Sequence, residues 1–287
     1  MNRILLLGGS GILGSEVLRL LQKSNFEYVA PKSSDLDIRE KSAVLSFSAN
    51  FKPNWIVNCA AWTNVDAAEE FYEAACELNG EAVKNLGEVA DLFECKVIHI
   101  STDYVFDGDS GRPYDENSPV NPVNKYGKSK LQGEYSLMTA APDSYIIRTS
   151  WLYGDSGRNF VKTIAGKALR NERASVVNDQ FGSPTSAKDL AIAIMSVIGN
   201  HPEPGIYNYS NEGSCSWFEF AQFIYEKLDA NPSLVSPISS TSLSLLARRP
   251  GFSLLEKKKW RSTGLSEVPH WKESLELSLP EIIRELN

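Results

Sequence analysis

Tyr126 and Lys130 stand four residues apart in Tyr126-Gly127-Lys128-Ser129-Lys130, downstream of a strand-like run ending in Ser101-Thr102. If residues 127–133 are helical, positions i and i+4 share a face and the Lys130 ammonium comes near the Tyr126 phenol. A free phenol has a pKa of about 10, and a neighbouring cation favours phenolate, bringing the group towards a working pH where it can donate and recover a proton. Thr102 adds a hydroxyl that can hydrogen-bond a substrate oxygen. The expected catalytic set is Thr102, Tyr126 and Lys130. The pair alone is weak, because Tyr and Lys are common on solvated helix faces.

A second motif gives it context. Gly8-Gly9-Ser10-Gly11-Ile12-Leu13-Gly14 places glycines at 8, 11 and 14 directly after an apolar run and at the start of a helical pattern. Such a loop turns tightly, brings backbone N–H groups to a pyrophosphate at the positive end of a helix, and lets that helix pack close to a sheet. A nucleotide loop with a Tyr/Lys pair points to carbonyl reduction by a nicotinamide cofactor. After the second strand the chain reads Ala30-Pro31-Lys32-Ser33-Ser34, with a lysine and two hydroxyls where a carboxylate would bind a ribose 2′-OH. NADPH is therefore expected, with NADH possible. Asp37 and Ile38 are placed near the adenine, and the small residues Cys59, Ala60 and Ala61 beside the cofactor.

The elements that must hold these groups follow from periodicity. Residues 3–7, 28–30, 55–60, 97–101 and 144–149 read as strands, and 12–21, 41–51 and 67–91 as helices between them. Strand and helix alternate, which predicts an α/β fold, a Rossmann-type doubly wound parallel sheet over residues 1–150. Beyond Trp151 the pattern loosens into helices at 159–170, 187–198 and 217–228 and strands at 175–177 and 205–209. We expect a smaller C-terminal substrate-binding lobe, mainly 151–287, with residues near 187–198 returning to the sheet. The serine-rich stretch 233–244 and Ala247-Arg248-Arg249-Pro250 read as loops.

Of the 287 residues, 42% are hydrophobic and 23% charged, an ordinary globular composition. A formal charge of -7 argues against nucleic acid or an anionic membrane as partner, since both need a basic surface. The longest apolar runs fall far short of a membrane span, and Met1-Asn2-Arg3 leads straight into a strand with no signal-peptide pattern. Cys59, Cys76, Cys95 and Cys215 lack metal-ligand spacing and fit reduced thiols, hence a cytoplasmic protein. His99 lies in an apolar strand pattern and reads as a packed core residue.

Longer blocks sharpen the reading. Asn58-Cys59-Ala60-Ala61-Trp62-Thr63-Asn64-Val65-Asp66, Ser101-Thr102-Asp103-Tyr104-Val105-Phe106, Arg148-Thr149-Ser150-Trp151-Leu152-Tyr153-Gly154, Asn178-Asp179-Gln180-Phe181-Gly182-Ser183-Pro184-Thr185 and Arg248-Arg249-Pro250 span most of the chain. In these blocks the sequence resembles the dTDP-4-dehydrorhamnose reductase family of extended short-chain dehydrogenases/reductases. The resemblance implies reduction of a 4-ketosugar nucleotide, with Tyr126 protonating the forming alkoxide, Lys130 lowering the phenol pKa and holding the nicotinamide ribose, and Thr102 bonding the oxygen. With the nucleotide loop and the strand ends, the expected cofactor contacts are Gly8, Gly11, Ile12, Leu13, Gly14, Lys32, Asp37, Ile38, Cys59, Ala60, Ala61, Thr63, Tyr126 and Lys130. Substrate contacts would fall on Val65, Thr102, Asp103, Trp151, Asn159, Gln180 and Pro184, with Arg249 near the diphosphate. Plainer readings are Trp151 as core, Asn159 as a helix cap, Arg249 in an ion pair and Pro184 ending a loop; Asp179 reads as a turn or interdomain residue.

One departure bears on assembly. Some members hold Mg2+ between two subunits with glutamates; Glu16 matches the first, but Lys188 stands at the second, and a lysine is no metal ligand. No metal is expected, and the chain reads as a monomer or a metal-independent homodimer. Dehydratases and epimerases of nucleotide sugars share the Tyr/Lys pair, but dehydratases place Asp-Glu after the threonine, where this chain has Asp103-Tyr104. A non-catalytic dinucleotide-binding regulatory subunit would not require Thr102, Tyr126 and Lys130 together.

Overall fold

The computed structural model describes residues 2–286, so Met1 and its place before the first strand lie outside it. Strand β1 (Arg3–Leu7) runs into helix α1 (Ile12–Gln22), then β2 (Glu27–Val29), α2 (Lys41–Phe51) and β3 (Trp55–Asn58). The next helical stretch is broken into α3 (Ala67–Glu70), α4 (Tyr72–Cys76), a π-helical turn (Glu77–Glu81) and α5 (Ala82–Leu92). Then come β4 (Lys96–Thr102), α6 (Lys125–Ala140) and β5 (Tyr145–Thr149).

The six-stranded sheet has the order β10-β5-β4-β3-β1-β2, where β10 is Gly205–Asn208, and every pairing is parallel. Its winding reverses between β1 and β3. Ligands of such sheets sit at that switch point, beyond the carboxyl ends of the strands. Side chains alternate across β1: Ile4 and Leu6 join Val17, Leu21, Leu190 and Ile194 on one face, while Leu5 and Leu7 join Val44, Val83, Leu86 and Val89 on the other. Helices on both faces explain why the strands read as continuous apolar runs. The sheet also takes in β10, beyond the segment 187–198 that the sequence led us to bring back.

The remaining elements are β6 (Leu152–Tyr153), α7 (Phe160–Leu169), β7 (Ala174–Val177), β8 (Phe181–Gly182), β9 (Thr185–Ser186), α8 (Ala187–Asn200), β11 (Cys215–Ser216), α9 (Trp217–Lys227), β12 (Val235–Ile238), α10 (Lys258–Ser262) and α11 (Trp271–Arg284). Of these α8 packs on α1 against the sheet, while α7, α9 and α11 share a separate core built on Val161, Ile164, Phe220, Ile224, Leu275 and Ile282.

Two segments differ from the sequence reading. The serine-rich stretch contains β12, parallel to β7, in which Val235 is buried while Ser236 and Pro237 face out. A two-stranded edge tolerates Pro237, and so few apolar positions leave little periodicity to read. Helix α11 buries Trp271, Leu275, Leu279 and Ile282, although Pro280 lies inside it and hides it from a periodicity reading.

Candidate active site

Thr102 ends β4 at the sheet's carboxyl edge and caps a short turn, its Oγ1 accepting from the Tyr104 N–H at 3.2 Å and donating to Asp103 Oδ1 at 3.0 Å. Helix α6 begins opposite, where the Asn124 side chain accepts from the Gly127 N–H at 2.8 Å. Gly127 must be glycine, because a Cβ there would stand 2.1 Å from the Tyr104 carbonyl oxygen. That close approach sets Tyr126 against Thr102. Thr102, Asp103, Tyr126 and Lys130 all line one cavity of about 600 Å³.

The expected electrostatics are reversed at the phenol. Burial pushes Tyr126 up to about 12, a hydrogen bond from Thr102 pulls it down, and the charge of Asp103 pushes it up; the Lys130 ammonium does not enter the balance. The reason is where Lys130 points. Its Nζ donates to the Ile100 carbonyl at 2.7 Å and lies 3.1 Å from His99 Nε2. Burial lowers Lys130 to about 8, against the opposing pull of Glu134 and Cys59. His99 is fully buried, as a core residue should be, but it is also bonded to the predicted catalytic lysine.

Two residues missed from the sequence, Glu134 and Asn79, complete this wall beside the expected Asp103. Glu134, one turn beyond Lys130, forms a buried two-pronged ion pair with Arg148 at 2.6 and 3.0 Å and accepts from Ser101 Oγ. Asn79, in the π-helical turn, accepts from the Trp62 N–H at 2.8 Å and donates to the Trp62 carbonyl at 3.0 Å and to Ser129 Oγ at 2.9 Å, clamping the strand-end loop to α6. A π-turn often marks a functional site, and the alanine-rich spelling of 67–91 gave no warning of one. Buried Asp103 is raised to about 7 by its burial, against a smaller opposing pull from the Ser253 hydroxyl, and among the described residues its Oδ2 has no partner at full hydrogen-bond geometry.

A second cleft, about 840 Å³, is lined by Gly8, Gly11, Lys32, Asp37, Ile38, Cys59, Ala60 and Ala61 among others, and shares Gly11, Cys59 and Ala61 with the first. The two form one groove across the switch point. Gly14 packs so tightly that a Cβ would fall 2.0 Å from the Gly8 carbonyl oxygen. Helix α1 starts at Gly11 without a side-chain cap, so its first-turn N–H groups remain available to an anion, and Ile12 and Leu13 there face the first cavity. Lys32, Ser33 and Ser34 are exposed on the cleft rim with Arg39, which the sequence reading overlooked and which pairs with Asp37 at 2.6 Å. That pairing holds the Asp37 carboxyl below its usual range. These residues fit a dinucleotide.

The substrate residues expected from the resemblance part company. Val65, Trp151 and Asn159 line the first cavity, together with Thr63, which was expected at the cofactor. Trp151 adopts a left-handed backbone (φ 47°), rare for a bulky residue, and its ring stacks on Trp217 at 3.7 Å. Asn159 caps α7, accepting from the Lys162 N–H and donating to the Gly154 carbonyl, so its amide is already engaged. Gln180 and Arg249 line an adjoining groove of about 440 Å³ with Tyr104, Phe160 and Trp217. Arg249 does not stand free for a diphosphate: its guanidinium is forked onto Asp66 at 2.7 and 2.9 Å. Pro184 lines none of these cavities; it is buried just before β9. Asp179 accepts from the Ser240 N–H and Ser239 Oγ, tying down the loop after β12. Glu16, beside α8, is buried and paired with Arg19 at 2.6 Å, and Lys188 pairs with Glu281.

A parallel doubly wound sheet, a glycine loop at its switch point and a Tyr-x-x-x-Lys helix opening on the same groove define an extended short-chain dehydrogenase/reductase. The chain belongs to the RmlD family, whose model, described as the RmlD substrate binding domain, matches residues 1–284. It is 40% identical over 98% of its length to a probable dTDP-4,6-dihydroxy-2-methyloxan-3-one 4-ketoreductase of Streptomyces antibioticus, covering 96% of that protein. A dTDP-4-dehydrorhamnose reductase of Streptomyces griseus is 37% identical, with 98% of this chain and 94% of that one covered. Among solved structures, the dTDP-4-dehydrorhamnose reductase of Bacillus anthracis in complex with NADP superposes with a TM-score of 0.93 at 37% identity, covering 98% of this chain and 100% of that one.

Proposed function

We propose that this protein reduces the 4-keto group of dTDP-4-dehydro-L-rhamnose with NADPH, giving dTDP-L-rhamnose. The observation that carries the reading is the convergence of Thr102, Tyr126 and Lys130 on a cavity continuous with the glycine-loop cleft. The names of full-length relatives support it. NADPH, when bound, supplies the hydride. Gly8, Gly11, Ile12 and Leu13 would hold its pyrophosphate on a loop kept tight by Gly14, Lys32 with Ser33 and Ser34 its 2′-phosphate, and Cys59, Ala60, Ala61 and Thr63 its flank.

A phenol held near 12 is fully protonated at neutral pH, the form that hands a proton to a forming alkoxide. Thr102 bonds the same oxygen, and Lys130 holds the ribose beside it. Val65, Asp103 and the Trp151–Trp217 stack form the wall for the sugar, and Gln180 the adjoining nucleotide groove. Among the described residues no helix is long and apolar enough to cross a membrane, and the four thiols are free; a cytoplasmic setting follows from this reading.

A second sugar is favoured by a specific finding, a dTDP-4-keto-6-deoxy-D-glucose reductase of Streptomyces niveus 36% identical over 97% of this chain. The test is turnover from dTDP-glucose through the upstream enzymes, following NADPH absorbance and identifying the product sugar, with dTDP-4-keto-6-deoxy-D-glucose as a parallel substrate. NADPH oxidation with dTDP-rhamnose as product is expected. Oxidation with the parallel substrate alone would assign the second sugar, and no oxidation with either would end the reductase reading.

A further inference from the structure

Behind the cavity wall, three side chains from three elements form a buried line. Asn58 ends β3, His99 faces it across the β3–β4 register, and Lys130 comes down from α6. Asn58 and His99 are at most 1% exposed, and so is Lys130. Asn58 Nδ2 is 3.1 Å from His99 Nδ1, and His99 Nε2 is 3.1 Å from Lys130 Nζ. Burial, then the charge of Lys130, drives the imidazole well below its usual range, so it is neutral and carries one proton.

We propose that Asn58 and His99 are positioning residues for Lys130, acting together to choose whether its head group is held as an ammonium or as an amine. The proposal rests on the reading of Lys130 as part of the catalytic set. A neutral imidazole donates from one nitrogen and accepts at the other. Asn58 Oδ1 accepts from the Ala60 N–H at 3.1 Å, which turns the amide NH2 towards His99 Nδ1. The imidazole proton then sits on Nε2 and points at Nζ, which only an amine can accept; an ammonium has no lone pair.

The alternative turns the Asn58 amide by half a rotation. Its oxygen then accepts from Nδ1–H and Nε2 accepts from the ammonium, at the expense of the bond from Ala60. Holding the charged form therefore costs a hydrogen bond on the cofactor wall, since Ala60 lines that cleft. The other titratable groups around Nζ are Cys59 after β3, Tyr126 and Glu134 on α6, and Arg148 on β5 behind Glu134; all are unaltered by the exchange.

The test is the titration of Lys130 in protein labelled with 13C-lysine, its Cε resonance assigned by its loss in Lys130→Arg. The parent should titrate near 8. His99→Gln can offer an oxygen to Nζ without a tautomer to set, and Asn58→Ala frees the imidazole to carry its proton on Nδ1. Each should raise the midpoint by about one unit, a tenfold gain in proton affinity. The double variant should rise no further than His99→Gln alone, because without an imidazole Asn58 has nothing to select. Midpoints within about 0.3 units of the parent in both single variants, or increments that simply add as two independent loosenings would, overturn the proposal. If the midpoints shift as expected while the alkaline limb of kcat/KM stays put, the positioning stands and the catalytic reading of Lys130 fails.

Discussion

The two ends of the groove treat charge in opposite ways. At the tyrosine end, Thr102, Asp103 and Lys130 are buried and burial is the main cause of the displaced titration of Asp103, Tyr126 and Lys130. At the glycine end, Lys32, Ser33, Ser34 and Arg39 stand in solvent, and what is buried is backbone geometry: the packing of Gly14 on Gly8. Desolvation brings Asp103 and Lys130 of the first end to titrate near neutral pH and keeps the Tyr126 phenol protonated, while a helix terminus gives the second a fixed partial charge that needs no titration. Chemistry and recognition are thus separable by mutation.

The strongest way to break this separation is Tyr126→Phe. Turnover should fall about 10²-fold or more while NADPH affinity, read by fluorescence titration, stays near the parent value. A matching loss of affinity would mean that the two ends act as one. Gly14→Ala should do the converse: with a methyl 2.0 Å from a carbonyl oxygen the loop must move, so NADPH binding should collapse and the melting temperature drop, for a stability loss of about 1–3 kcal/mol. An unchanged melting curve would show that the loop has slack. Lys32→Ala should weaken NADPH about tenfold more than NADH, as one charge-assisted phosphate contact of 1.4 kcal/mol would. Equal losses for both cofactors would move the 2′-phosphate elsewhere on the rim.

The smallest expected effect tests burial itself. Asp103 binds its proton more tightly folded, about 7, than unfolded, about 3.9. The folded state therefore loses stability as pH rises through that window. In Asp103→Asn that part of the pH slope should disappear, so the variant should gain on the parent in melting temperature between pH 5 and pH 8. Parallel curves would show that the carboxyl ionises freely.

The glycine end was the more legible in the sequence because its signal is local: strand, glycines and helix follow one another within a dozen residues. The Tyr/Lys spacing and Thr102 were legible for the same reason. What the sequence hid lies across the chain. Lys130's turn towards His99, the identity of Asp66 as the partner in Arg249's ion pair and Asn79's clamp on Trp62 each join residues far apart, and no periodicity encodes them. Strand β12 was hidden by serines and a proline, and α11 by Pro280.

The return of β10 to the sheet limits how this molecule can be cut. A fragment ending near residue 150 would bare the edge of β5 where β10 pairs with it, and would strip α8 from the apolar side of α1. Unpaired edges and uncovered apolar faces invite self-association. Such a fragment, however complete its glycine loop, should precipitate on expression instead of yielding a free-standing NADPH-binding module.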